Sequence, residues 1–130
     1  MITTGIKALM QKANSEIETI PAHVAITLLG TDGVEFIDIR DVRELKRDGA
    51  VPGAFHAPRG MLEFWVDPDS PYHKEIFASG KKFIFLCAAG SRSSLATKAV
   101  QDMGLKPVAH VEGGYSAWCS AGGPIQQIER

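Results

Sequence analysis

Hydrophobic positions recur along this chain with two periods. Residues 83–86, Phe-Ile-Phe-Leu, form an unbroken apolar run, as in a strand covered on both faces. Farther on, Leu95, Ala96, Ala99, Val100 and Met103 repeat at helical spacing. Between the two lies Cys87-Ala88-Ala89-Gly90-Ser91-Arg92-Ser93-Ser94. The pattern predicts a buried strand ending at Cys87, a short loop, and a helix that begins near Ser91 to Ser93 and is closed by Gly104.

The same two periods divide the rest of the chain. Thr3 or Thr4 caps a first helix with apolar positions at Ile6, Leu9, Met10 and Ala13. Residues 17–20 alternate apolar and polar and read as a short edge strand. Pro21 and Gly30 bracket a helix over 22–29. Residues 34–39 read as a strand. Asp41 with Glu44 resembles a capping box that opens a helix to about Asp48, closed by Gly49. Residues 51–54 form a turn and 55–57 a brief strand. A helical turn or two follows over 59–65, then a loop holding Pro68 and Pro71. A short helix spans 73–78. The last strand is 108–111, and the last helix, 115–121, stops at Gly122-Gly123-Pro124. Strands alternating with helices indicate an α/β domain with a mostly parallel sheet and helices on both faces. Ligands of such sheets sit beyond the carboxyl ends of the strands. Asp38, Cys87 and Val111 all end strands, so the turns after them should meet at one edge.

Length and charge narrow the options. The 130 residues suit one domain. Net charge is −1 and the pI is near 6.4, with no basic run to suggest a nucleic-acid or membrane partner. The first twenty residues lack the basic and apolar regions of a secretory signal, and no apolar run reaches membrane-spanning length. The two cysteines, Cys87 and Cys119, make no disulfide framework, which points to a reducing cytoplasm. His23, His56, His73 and His110 show no metal-ligand spacing. No glycine-rich nucleotide fingerprint follows a strand. Neither a metal nor a cofactor is therefore expected.

The chemistry centres on Cys87. A helix N-terminus presents unpaired N–H groups and the positive end of a dipole, which favour a thiolate. The amides of Ala88, Ala89, Gly90, Ser91, Arg92 and Ser93 can cradle the sulfur. Gly90 permits the positive φ of a tight loop. Ser91 and Ser93 can donate to the bound sulfur or cap the helix. Arg92 can bind the anionic part of a donor or sit in an ion pair. A dyad of Cys87 with His56 or His110 is a further arrangement, although the helix terminus already supplies an activating field. Trp118 reads as a core anchor and Cys119 as a buried structural thiol. Glu63, Phe64 and Trp65 either wall the pocket or pack elsewhere.

Three stretches together resemble the rhodanese-like domain family. They are Ile37-Asp38-Ile39-Arg40 through Glu44 with 49–54, the loop from Cys87 to Arg92, and Glu112-Gly113-Gly114-Tyr115 with Trp118. The resemblance covers about residues 17–124 of a single domain and leaves a helix over about 3–14 outside it. It implies a five-stranded, largely parallel sheet. It also implies a sulfurtransferase that moves a sulfane sulfur from a small donor such as thiosulfate, through a Cys87 persulfide, to cyanide, a thiol or a protein acceptor. Asp38 and Arg40 would brace loops. Ala50 replaces a frequent histidine and reads as a surface detail. Ala88 and Ala89 replace basic residues of thiosulfate-specialised members. Two alternatives stay open: a cysteine phosphatase or arsenate reductase, and a catalytically silent binding module. Phosphatases of this kind place an arginine after five intervening residues; here Arg92 follows four, and Ser93 holds the phosphatase position.

Overall fold

The computed structural model describes residues 1–129. The apolar run becomes β4, Lys82–Leu86, at the centre of a five-stranded sheet. Its neighbours are β2 (Val34–Asp38) and β5 (Val108–Val111); β3 (Phe55–His56) and β1 (Glu18–Ile20) form the edges. All four pairings are parallel, so all five strands end at the same edge of the sheet, where Cys87 follows β4.

Strand alternation sorts the side chains into two cores. Phe83, Phe85 and Cys87 face one side with Ile37, Ile39 and Val108. There they meet α4 (Leu62–Val66) and α5 (Ser91–Asp102) through Leu62, Val66, Ala96 and Val100. Ile84, Leu86, Phe36, Ala109 and Val111 face the other side. They meet α2 (Ala22–Leu28) and α6 (Gly114–Ser120), and Trp118 is fully buried among them as its spacing suggested.

The capping box at Asp41 and Glu44 is present and opens α3, Val42–Asp48. Four expectations need correction. The first helix, α1, spans Ile6–Glu16 behind Gly5, with no side-chain cap from Thr3 or Thr4. Ile6 and Leu9 on it are exposed and Ala13 is buried. Polar links help dock it. Ser94 donates to Asn14 Oδ1 at 2.6 Å, and Gln101 Nε2 donates to the Glu16 carbonyl at 2.8 Å. The short helix at 73–78 is only a 3-10 turn, Glu75–Ala78, and a similar turn, Arg59–Met61, precedes α4. Ala50 is buried, not on the surface, and its N–H and C=O both pair with Gln126, at 2.9 and 2.8 Å. Cys119 is exposed, not buried. Trp118 points inward, and the next residue on a helix is rotated by about 100°.

A buried ion pair fixes the end of β2. Arg40 donates through its amide, Nε and Nη2 to the Asp38 carboxylate, at distances of 2.8 to 3.2 Å. Its Nη2 also donates to the Gly49 carbonyl at 2.8 Å, and its guanidinium lies 4.2 Å from the Tyr115 ring centre. Both side chains are 1 % exposed. Removing one partner of such a pair leaves an uncompensated buried charge. Asp38→Ala should therefore lower unfolding stability by about 3–5 kcal/mol, read from urea titration. A loss under about 1 kcal/mol would show that the pair does not brace this edge.

Candidate active site

The residues after β4 turn sharply at Gly90, whose φ is +99°. That turn brings the first amides of α5 back onto the cysteine. The Gly90 and Ser93 N–H groups donate to Cys87 Sγ at 3.1 and 3.3 Å, and the thiol lies 3.5 Å from Ser93 Oγ. The remaining cradle candidates are placed around this point. Ala89 and Ser91 are exposed at the mouth, Ala88 and Arg92 are half-buried, and Cys87 itself is fully buried. The site can hold an anionic sulfur on backbone dipoles.

The second wall is α6. Its Tyr115 amide donates to the Cys87 carbonyl at 2.7 Å and its Ser116 amide to the Ala88 carbonyl at 3.0 Å. Gly114 makes this approach feasible. A Cβ there would lie 2.8 Å from the Ala88 carbonyl carbon and closer still to the Cys87 oxygen. The paired glycines in the sequence mark this contact.

Arg92 is engaged by Glu44. Its two terminal nitrogens donate to the two carboxylate oxygens at 2.8 and 3.0 Å. Of the two readings open for Arg92, the geometry displays the ion pair. Nothing in the local pattern paired Glu44 with it, because the two lie 48 positions apart. Glu44 closes the capping box as well, accepting from the Asp41 amide at 3.2 Å.

The histidines divide. His56 Nε2 lies 2.6 Å from the Arg40 carbonyl and so belongs to the brace. His110 is buried, with Nδ1 3.0 Å from Ser93 Oγ and Nε2 3.2 Å from Thr19 Oγ1. Thr19 had no signal in the sequence beyond its place on an edge strand. Glu63 pairs with Arg59 at 2.7 Å, Trp65 packs edge-on against Phe55, and Phe64 stacks edge-on with exposed Tyr72. Tyr115 donates its hydroxyl to the Asp48 carbonyl at 2.8 Å. Burial, and the neighbouring Cys119 thiol after it, push the phenol up to about 12.

The rhodanese-like domain profile matches residues 22–121. The chain belongs to the rhodanese-like domain family. Rhodanese-like domain-containing protein 17 of Arabidopsis thaliana is 29 % identical over 119 residues, covering 85 % of this chain and 74 % of that protein. YtwF of Bacillus subtilis, which carries a provisional sulfurtransferase name, is 34 % identical over 82 residues, 63 % of this chain and 70 % of its own length. A solved structure from Rhodopseudomonas palustris superposes with a TM-score of 0.95 at 59 % identity, covering 97 % of each chain. That protein is described as of unknown function and a possible tyrosine phosphatase. The rhodanese-like match begins at Ala22, so α1 and β1 lie outside it.

The Glu44–Arg92 pair makes a pH prediction. The Arg92 guanidinium holds the Glu44 carboxyl below the usual glutamate range, against the cost of its own burial. A carboxylate whose folded value is depressed contributes stability above its unfolded value and loses it as pH falls through the folded one. Glu44→Gln should lower stability near neutral pH by about 1 kcal/mol, with the difference closing in acid. Parallel urea titrations from about pH 7 to pH 2 read it. A constant difference across that range would remove the ion pair as its source.

Proposed function

We propose that this protein is a sulfurtransferase that works through a persulfide on Cys87. The observation that carries the reading is the pair of amide donors, Gly90 and Ser93, aimed at Cys87 Sγ from the start of α5. Membership of the rhodanese-like domain family supports it.

In the reaction the Cys87 thiolate attacks the outer sulfur of a donor such as thiosulfate. A new S–S bond forms, the S–S bond to the sulfonate group breaks, and sulfite leaves with the bonding pair. Cyanide or a thiolate then attacks the outer persulfide sulfur, and the Cys87 thiolate leaves. The amides of Ala88 to Ser93 serve as the dipole cradle for the sulfur anion in both steps. Arg92 acts by tying the loop to α3. Asp38 and Arg40 hold the adjoining strand end. Two unpaired thiols fit a reducing, cytoplasmic setting.

Intact-protein mass spectrometry tests this directly. Incubation with thiosulfate or mercaptopyruvate should add one sulfur atom, and cyanide should remove it as thiocyanate. Cys87→Ser should abolish the addition, whereas Cys119→Ala should keep it. Addition at Cys119, or efficient hydrolysis of aryl phosphates without sulfur uptake, would overturn the proposal.

A further inference from the structure

In the resting structure Cys87 is 0 % exposed, so its thiol proton passes first to a hydrogen-bonded neighbour. The backbone amides cannot receive it, since they only donate. The Ser93 hydroxyl can both accept and donate. It stands between Cys87 Sγ and His110 Nδ1. His110 in turn meets Thr19, its direct partner in the parallel register of β1 and β5. Strand alternation explains why the chain assembles. His110 shares a face with Val108, which packs toward α5, and Ser93 is buried on α5. Thr19 and His110 open into a cavity of about 340 Å³ between the loop and α1, also lined by Met10, Asn14, Glu112 and Gly90. Polar and apolar groups both line the cavity, and Thr19 is exposed.

We propose that Thr19, His110 and Ser93 form a neutral proton relay that carries the Cys87 proton to this cavity, with His110 as the positioning residue that turns the Ser93 O–H onto the sulfur. The proposal rests on Cys87 being the nucleophile of the reaction above. In the protonated state Cys87 donates to Ser93, Ser93 to His110 Nδ1, and Nε2 to Thr19. Ionisation reverses every donation. The thiol proton passes to Ser93 Oγ, the Ser93 proton to Nδ1, the Nε2 proton to Thr19, and the Thr19 proton to water in the cavity. The electron pair stays on sulfur. The imidazole begins and ends neutral, in opposite tautomers.

The tautomer is what gives His110 its role. With a bare Nδ1 as neighbour, the single Ser93 proton is drawn away from the sulfur. With Nδ1 protonated, that proton is free to stabilise the thiolate. Burial supports the neutral ring, since it holds the imidazolium down to about 4. Few charges act on it. Phe85 beside it on β4, and Met10 and Asn14 on α1, are uncharged. Glu112 at the cavity wall and Cys87 beyond Ser93 are the ionisable neighbours along this route.

The test reads ionisation without any sulfur donor, so it fails independently of the sulfurtransferase reading. Iodoacetamide alkylation of Cys87 is followed against pH in the Cys119→Ala background. His110→Leu removes the Nδ1–H that holds the Ser93 O–H on the sulfur and leaves that proton to the Gly90 carbonyl, 3.4 Å away; it should slow the reaction about tenfold near pH 7, the effect of one lost hydrogen bond to the thiolate. It should leave the rate in strong alkali unchanged. His110→Asn, whose amide N–H can replace Nδ1–H, should recover most of the loss. Thr19→Val, at an exposed position that folding tolerates, should slow the neutral-pH reaction in the same sense by about threefold. Neutral-pH rates equal to the parent in folded His110→Leu or Thr19→Val, judged by an unchanged urea midpoint, would overturn the relay. A rate lost equally at all pH values would mean a blocked site and would overturn it too.

Discussion

The backbone of the cysteine loop and the start of α6 approach each other more closely than side chains would allow. Two amides of α6 end on the carbonyls of Cys87 and Ala88, and the space a side chain would need at Gly114 is filled by those same carbonyls. This contact ties β4, β5 and the two helices behind them into one unit. It also directs the loop. With its carbonyls committed to α6, the loop turns its amides the other way, onto the sulfur. A face of free amide donors thus follows from carbonyls satisfied on the opposite face.

A second tier holds that unit in place. Tyr115 supplies an amide to the Cys87 carbonyl, its ring to the Arg40 guanidinium, and its hydroxyl to the Asp48 carbonyl. One residue on α6 therefore links the active loop, through its backbone, to the Asp38–Arg40 pair and the end of α3, through its side chain. From the other end of α3, Glu44 reaches Arg92 on α5. The loop is fastened on both sides by groups charged or dipolar enough to resist water. A buried pair such as Asp38–Arg40 adds little net stability over an apolar substitute. Its contribution lies in geometry, because its donors and acceptors accept few other arrangements.

The parts legible in the sequence were those set by short-range physics. The apolar run of β4, the helical spacing after Gly90, the capping box at Asp41 and the inward Trp118 each rest on residues within a turn or two of one another. The nucleophile candidate was legible for the same reason, since strand, cysteine, glycine and helix are contiguous. Long-range partners were not. Glu44 with Arg92, and Ser93 with His110, lie 48 and 17 positions apart, and only the sheet order brings them together. The start of α1 was misplaced, since neither Thr3 nor Thr4 caps it, and its docking bond from Ser94 to Asn14 spans 80 positions. Cys119 was misread through its neighbour, as one residue along a helix reverses the environment.

Loop size then bears on which anion the site can serve. A phosphoryl group on sulfur needs donors around three outer oxygens, together with a cation free to join them. The cradle here closes with two amides already on the sulfur, and its arginine has both terminal nitrogens on Glu44. Freeing Arg92 for an oxyanion would leave Glu44, four-fifths buried, without its main counter-charge. A persulfide asks for less. It adds one polarisable atom along the line of the existing thiol and spreads a single charge over two sulfurs, so the amides already on Sγ still meet part of that charge. Transition-state stabilisation by fixed donors falls off steeply with distance. A tight ring with a committed arginine is thus what the proposed sulfur transfer requires, in a fold whose relatives carry names from both chemistries.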